Sequence, residues 1–437
     1  CRQAGAKAVA RSANDEAVAY FEQALNALAR LPERRDTLEL AIDIRFDLRD
    51  ALQPLGQFKR VFDYLREAEP IADNLADQHR LAWILSYMTF YFRVTGQHDQ
   101  AIEHGRRTLA LPATRGDVAL QVETNLHMGP AYHALGDYRR AIEAFTNTLD
   151  ALERNPLPEL LGHAGLLSVM SRSYPVWSLA EVGRFGDALV LGDEALRIAE
   201  AADHPLSLAT AYCVTGHVHL RRGDLEKAIA ALERGLAVCQ TRDVPAWLPG
   251  IFSHLGYAHT LSGRIAQGLD LLEQGMPIST RTTGGHPLWI GWLGEAHLLS
   301  GHRDEATEIA QRASELSRER KERGHEAWAR RLDGEIAAHT DPPVVEQAER
   351  SYRQALALAD ELGMGPLQAH CHLALGALYR GAGRSEQATT ELSAAIELFR
   401  SMDMQFWLGR AEAELAEATA SLRARSPHSG PSEPLAS

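Results

Sequence analysis

Apolar residues recur along this chain with the spacing of an α-helix. In residues 225–239 they fall at positions i, i+3, i+4 and i+7, which places them on one face of a helix. The same spacing returns in many other segments. Sustained alternation of apolar and polar residues, which is the pattern of a half-buried strand, does not occur. The hydrophobic pattern therefore predicts an all-α protein.

A short glycine turn repeats between these helical segments. Its clearest copies begin at Gly136, Gly183 and Gly223, and each has an alanine five residues later. Most neighbouring copies are 38 to 40 residues apart, and one pair is 47 apart. The next turn glycine after Gly301 is Gly383, which is two repeat lengths away. One turn between them is therefore degraded, and we place it at residues 339–343. The eight predicted turn glycines are Gly56, Gly96, Gly136, Gly183, Gly223, Gly263, Gly301 and Gly383.

Small residues stand at fixed distances on both sides of these turns. Gly129 and Gly376 lie seven positions before a turn glycine, and Gly235 lies twelve positions after one. A large apolar residue such as Phe145 lies between the two small positions. We expect the small residues to let two helices approach closely. We expect the large residue to fill the gap between neighbouring helix pairs.

The positions Gly129, Tyr132, Gly136, Tyr138 and Ala141 resemble the pattern of tetratricopeptide (TPR) repeats. The period of about 40 residues departs from the 34 residues that are usual in that family. The resemblance covers about residues 13–422. It implies an all-α fold, a right-handed αα-superhelix (a TPR-like solenoid) of about ten helix-turn-helix units.

The repeats predict three segments. Residues 1–401 form the TPR-like helical repeats, and residues 402–422 form a C-terminal capping helix without a partner helix. Residues 423–437 are rich in Pro, Ser and Gly and are predicted to be a disordered tail.

Residues 1–25, 135–145 and 352–364 have a second likeness. They resemble the C-terminal region of bacterial multidomain signalling proteins, in which a class III adenylate or guanylate cyclase domain and an AAA-type ATPase domain precede the repeats. Some of those proteins carry a LuxR-type DNA-binding domain in place of the cyclase. The resemblance implies a repeat region that contacts upstream domains of its own chain and regulates them. ATP would bind in those upstream domains, while this chain would hold no cofactor.

Charge and composition exclude several partners. The net charge of −13 argues against a nucleic-acid backbone, which needs a basic surface. The longest apolar stretch, residues 81–92, is shorter than the roughly 20 residues of a membrane helix. Four cysteines in 437 residues do not make a disulfide framework and suit a reducing compartment. We therefore expect a cytoplasmic protein without a membrane or nucleic-acid partner.

Motifs for catalysis are missing from the sequence. It contains no phosphate-binding loop with Gly-Lys, no G-x-S-x-G, no H-E-x-x-H and no C-x-x-C. His219, His259 and His297 occupy one slot in three successive units. We interpret them as packing rings that could form a ladder. A zinc site is disfavoured because packed helices lie about 8–10 Å apart, whereas zinc ligands lie at about 2.0–2.3 Å. The chain is predicted to be neither an enzyme nor a metal protein.

The first helix of each pair is expected to line the concave surface of a solenoid. Counting back from the turn glycines gives the side chains that should face this groove, where a protein or peptide would bind. The alternative is that these side chains are buried in the structure. The candidates are Trp83, Phe90, Arg93, His133, Trp177, Cys213, His217, Tyr257 and Glu295.

One known mode of TPR binding is disfavoured by residue type. Co-chaperone TPR domains clamp an acidic C-terminal peptide with Lys, Asn and Arg. Here the corresponding slots hold Ser86, Phe90, Leu126, Pro130, Cys213 and His217. Three functions stay open: a regulatory repeat region of a signalling protein, the repeat arm of a LuxR-type ATP-dependent transcriptional regulator, and a free-standing TPR scaffold or peptide receptor.

Overall fold

The computed structural model describes residues 1–11, 13–159, 165–283 and 285–425. These residues form 21 α-helices and two short 3₁₀ turns, and they contain no strand. The all-α prediction is confirmed. None of the helices in the described residues is long and apolar enough to cross a membrane.

The helices follow one another in pairs, a first helix A and a second helix B. The A helices are α1 (Arg2–Val9), α3 (Arg35–Leu52), α5 (Gln78–Val94), α7 (Val118–Ala134), α9 (Leu167–Glu181), α11 (Pro205–Arg222), α13 (Leu248–Leu261), α15 (Pro287–Leu299), α17 (Arg323–Ala338) and α19 (Gly365–Gly381). The B helices are α2 (Asn14–Leu28), α4 (Phe58–Asn74), α6 (His98–Ala110), α8 (Tyr138–Arg154), α10 (Phe185–Ala202), α12 (Leu225–Thr241), α14 (Ile265–Thr283), α16 (Arg303–Glu319), α18 (Val345–Leu362) and α20 (Ser385–Ser401).

A last helix without a B partner, α21 (Gln405–Arg425), follows the ten pairs. It begins and ends three residues later than the predicted 402–422, because Asp403 adopts a positive φ of 54° and separates it from α20. Residues 423–425 of the predicted tail belong to this helix. The rest of the tail, from residue 426 onward, lies outside the described residues.

The chain divides into two compact units. Unit 1 comprises Cys1–Ser178 and Arg197–Ser207, and unit 2 comprises Leu179–Leu196 and Leu208–Ser437. Unit 1 contains α1 to α8 and most of α9. Unit 2 contains α12 to α21 and the larger parts of α10 and α11.

Glycine occupies eight of the turns between A and B helices. All eight predicted turn glycines have a positive φ, between 69° and 97°. The next residue donates its N–H to the carbonyl five positions earlier, as Asp137 does to Tyr132 (2.9 Å) and Asp224 to His219 (2.8 Å). This bond satisfies a carbonyl at the helix end and needs a left-handed residue, a conformation that costs other residues about 1–2 kcal/mol.

The small residues before the turns allow close contact within each helix pair. A Cβ built on Gly376 of α19 would lie 2.5 Å from Cγ of Leu392 on α20. A Cβ built on Gly129 of α7 would collide with the ring of Phe145 on α8. Phe145 also reaches Tyr174 of the next pair, with ring centroids 6.3 Å apart. Phe145 therefore packs first against the glycine of its own helix pair. Its contact with the next pair, which the sequence predicted, is an additional one.

This close packing predicts different effects of alanine at two glycines of α19. Gly376→Ala should lower the free energy of unfolding by about 1–3 kcal/mol, because the new Cβ overlaps Leu392. Gly381→Ala is the matched control: a Cβ there meets nothing within 4 Å. It should leave stability unchanged or raise it by up to about 1 kcal/mol, since alanine favours helix. Urea denaturation followed by circular dichroism measures both, and equal effects would contradict the packing described here.

Candidate functional site

The A helices of unit 2 surround a cavity of about 460 Å³. Its lining residues belong to α11, α13, α15, α17, α19 and α21, with His339 at the end of α17. This follows from the repeat, because in stacked helix pairs the same helix of every pair faces the concave side.

Helix α21 forms one wall of this cavity. It packs near α19 and the end of α11. Its Trp407 ring lies edge-on to His370 of α19, with centroids 4.4 Å apart. Asp403, just before α21, pairs with Arg222 at 3.7 Å. A Cβ built on the turn residue Gly223 would lie 2.9 Å from Cβ of Phe406. This glycine is therefore needed both for its turn and for the contact with α21.

A second wall is built around Trp328 of α17. The guanidinium of Arg221 lies over its ring, with Cζ 4.1 Å from the centroid. Both Arg221 Nη2 and the Trp328 indole Nε1 donate to Oε2 of Glu181, each at 3.0 Å. All three residues are less than a tenth exposed. The shared carboxylate compensates the buried arginine, because an unpaired charge in this position would be strongly destabilising.

Arg331 carries the next group of buried charges. It pairs with Glu295 and, at 3.1 Å, with Glu335. Burial by itself lowers the pKa of Arg331, but the two carboxylates more than offset this and raise it. Burial raises the pKa of Glu335 in spite of Arg331. The cluster therefore fixes three side chains along the cavity wall.

His254 lies behind the cavity wall and is fully buried. Its Nδ1 donates to the carbonyl oxygen of Gly250 at 2.6 Å, so its Nε2 accepts from Nδ1 of His217 at 3.2 Å. Its ring lies 4.9 Å from that of Trp292, which stacks on the cavity residue Tyr257 at 4.7 Å. Burial lowers the pKa of His254 to about 4, so the ring is neutral near pH 7.

Four of the predicted groove residues belong to unit 2. Tyr257 and Glu295 line the cavity. Cys213 and His217 are 0% and 1% exposed, so neither offers surface to a partner in this structure. Burial also raises the pKa of the Cys213 thiol. A binding role for these four residues stays a prediction.

The other five predicted residues belong to unit 1. The guanidinium carbon of Arg93 lies 5.2 Å from the ring centroid of Phe90, and burial lowers the pKa of Arg93. Trp83 donates from Nε1 to Nε2 of His79 at 3.3 Å. Nδ1 of His133 lies 3.0 Å from Oγ of Ser178, beside the half-buried Trp177 in the sequence. The structure brings Phe90 and Arg93 together, and their binding role is also untested.

Sequence reasoning missed most of the cavity. Trp328 and Arg331 were not predicted, because their helix pair lacks the turn glycine that fixes the groove-facing positions. Trp407 and Arg410 were not predicted, because no glycine turn follows α21 in the described residues. Arg221 stands two positions before Gly223, outside the positions predicted to face the groove. The same slot holds the cavity residues Leu261 and Leu299 before Gly263 and Gly301.

The expected histidine ladder takes a different form. His219 contacts Asp224 of its own turn at 3.2 Å, and His297 lies 3.9 Å from Glu273. His217 of α11 and His254 of α13 do join two neighbouring A helices. In the part of the chain that the structure describes, no group of three or more His, Cys, Asp or Glu side chains is placed to hold a metal ion.

Comparisons with known proteins agree on the repeat. Tetratricopeptide repeat models match residues 126–159 and 178–241. No curated protein sequence matches the chain. A Rap protein complexed with competence and sporulation factor has a similar structure, with a TM-score of 0.60 and 18% identity over 82% of this chain and 96% of that one. The Rap conjugation gene regulator of plasmid pLS20, in complex with the Phr* peptide, has a TM-score of 0.51 and 14% identity over 87% and 98%. The likeness shows that the fold is a TPR-like solenoid.

The buried histidine predicts a dependence of stability on pH. Between about pH 6.5 and 4 the unfolded chain binds a proton at His254 that the folded chain excludes. Acidification from pH 7.5 to 5 should thus remove about 2 kcal/mol of stability through this residue alone. His254→Asn should reduce the pH dependence of the urea midpoint. Identical pH profiles for wild type and His254→Asn would contradict this, because they would show that folding leaves the pKa of His254 unchanged.

Proposed function

Because the chain is a TPR-type repeat protein, we propose that it is a non-catalytic receptor for a peptide or an extended protein segment. The observation that carries this proposal is the cavity lined by the A helices of unit 2. Its volume of about 460 Å³ lies within the range of about 300–1,000 Å³ that is usual for ligand sites. Two structurally similar Rap proteins are complexes with competence and sporulation factor and with the Phr* peptide, which supports a peptide as the ligand class.

The lining chemistry suits a peptide. The aromatic residues Tyr257, Trp328 and Trp407 offer surfaces for side chains, and tryptophan, tyrosine and arginine dominate the energetics of protein interfaces. The paired charges of Arg221 and Arg331 hold the wall in place before a ligand arrives. A wall that is already ordered reduces the entropy lost on binding.

Unit 1 supplies a second proposed contact surface, around Phe90 and Arg93. These side chains are only partly exposed and are held against each other. The cavity of unit 2 is the primary site of the proposal.

We further propose that occupancy of this receptor regulates an ATPase and a nucleotide cyclase in the same polypeptide. The support is the likeness of residues 1–25, 135–145 and 352–364 to the repeat regions of such signalling proteins. The corresponding alternative is a LuxR-type ATP-dependent regulator, and a free-standing scaffold is the third. The protein would act in the cytoplasm.

Filling the cavity tests the receptor function. The double variant Ala377→Leu/Ala413→Leu adds side chains at two lining positions. It should reduce the capture of randomised hexapeptides by at least about tenfold, equivalent to about 1.4 kcal/mol. Capture on the immobilised full chain, followed by mass spectrometry, measures this.

The matched control is Ala230→Leu/Ala237→Leu, at two exposed positions of the B helix α12. It should bind peptides as the wild type does. Equal capture by the cavity variant and the control, with both proteins equally helical, would show that peptides do not bind in this cavity. Absence of capture by the wild type would refute the receptor function itself.

The regulatory proposal has a separate test in the genomic sequence around Cys1. Upstream codons that continue the reading frame and encode a phosphate-binding loop and cyclase motifs are the expected finding. In a protein that carries these upstream domains, peptide binding should change the rate of ATP hydrolysis. In the Ala377→Leu/Ala413→Leu variant of that protein, the peptide should leave this rate unchanged. A start codon and promoter immediately before Cys1 would rule out the regulatory proposal and leave the receptor function standing.

A further inference from the structure

Carboxylates that line the unit 2 cavity already have cationic partners. Glu295 and Glu335 both pair with Arg331. Glu414 accepts from Nε of Arg380 at 2.6 Å. Each of these acids therefore already contacts an arginine, and Glu295 and Glu335 share the same one.

Arg410 is the exception among the arginines of the cavity. Arg221 and Arg331 are bound to glutamates, whereas no carboxylate of the described residues pairs with Arg410. Its guanidinium carbon lies 4.3 Å from the ring centroid of Phe406 and 5.1 Å from that of Trp407. These rings hold the cation in place without neutralising it. Arg410 is also exposed, so a ligand can reach it.

Space lies beside this cation because the neighbouring lining residues are small. Ala374 and Ala377 come from α19, and Ala413 lies one helical turn after Arg410 on α21. Burial lowers the pKa of Arg410, opposed in part by Tyr257 and Glu295. Because no carboxylate of the described residues pairs with this arginine, an incoming anion can contact it directly.

We propose that Arg410 anchors a carboxylate of the bound peptide. The planar guanidinium donates two parallel hydrogen bonds to one carboxylate, and such a charge-assisted pair is about twice as strong as a neutral hydrogen bond. The carboxylate comes from an acidic side chain or from the peptide C-terminus, two sources with the same chemistry. This inference rests on the proposed receptor function and assigns the site that sets its preference for acidic ligands.

Three hexapeptide mixtures serve as probes. The first has Glu at its fourth position and an amidated C-terminus, so its only fixed carboxylate is on a side chain. The second has Gln at that position and a free C-terminus, and the third has Gln and an amide. The randomised positions exclude Asp and Glu. Capture on the immobilised full chain is quantified by mass spectrometry at low and high salt.

We expect the wild type to capture one or both carboxylate-bearing mixtures at least about threefold to tenfold better than the neutral mixture. Arg410→Gln should abolish this preference, so that the variant captures the three mixtures alike. Arg410→Lys should retain part of it, because the charge remains while the planar fork is lost. High salt should weaken the preference, since the pair is accessible to solvent.

Arg312→Gln is the matched control, an exposed arginine of the B helix α16 outside the cavity. It should retain the full preference. Circular dichroism and thermal unfolding of both variants exclude a loss of fold. Dependence of either carboxylate mixture on Arg410 supports the proposal, and the mixture that depends on it identifies the source of the carboxylate.

Two results would overturn the proposal, and they are distinguishable. If the wild type and Arg410→Gln both capture all three mixtures alike, Arg410 is not an anchor for a carboxylate. The receptor function would still stand. A wild type that captures none of the three would refute the receptor function and the anchor with it.

Discussion

Close contact between the two helices of each pair is the constraint on which the rest of this structure depends. Glycines such as Gly129 and Gly376 leave no side chain where Phe145 and Leu392 must pack. The turn glycine seven positions later sets the direction in which helix B returns. Where both are present, helix A presents one face to its own partner helix.

The concave side of unit 2 carries several buried charges. They are tolerated because each is held by a specific partner: Arg221 by Glu181, and Arg331 by Glu295 and Glu335. Burying such groups adds little stability, since the loss of hydration offsets the attraction. Their effect is rather to fix side chains around a cavity that a purely apolar surface would tend to close.

A preformed cavity with fixed ion pairs, aromatic walls and one uncompensated arginine is suited to selective binding. The neutral His254 behind the wall keeps further charge out of this region at neutral pH. Arg410 then supplies the charge that is left for a ligand. Selectivity would arise from the contrast between satisfied and unsatisfied groups, because a neutral peptide gains only the apolar contacts.

The sequence by itself determined the helices, the turn glycines, the 40-residue period and the small residues of the pairs, because all of these are set by local spacing. It also identified Tyr257 and Glu295, which stand at a fixed distance before a turn glycine. Only the tertiary structure joined Trp328 to Glu181, 147 residues away, and placed Trp407 and Arg410 of α21 at the cavity. Periodicity shows which face of a helix is apolar. It does not show which distant helix that face meets, because this depends on small rotations that accumulate from one pair to the next.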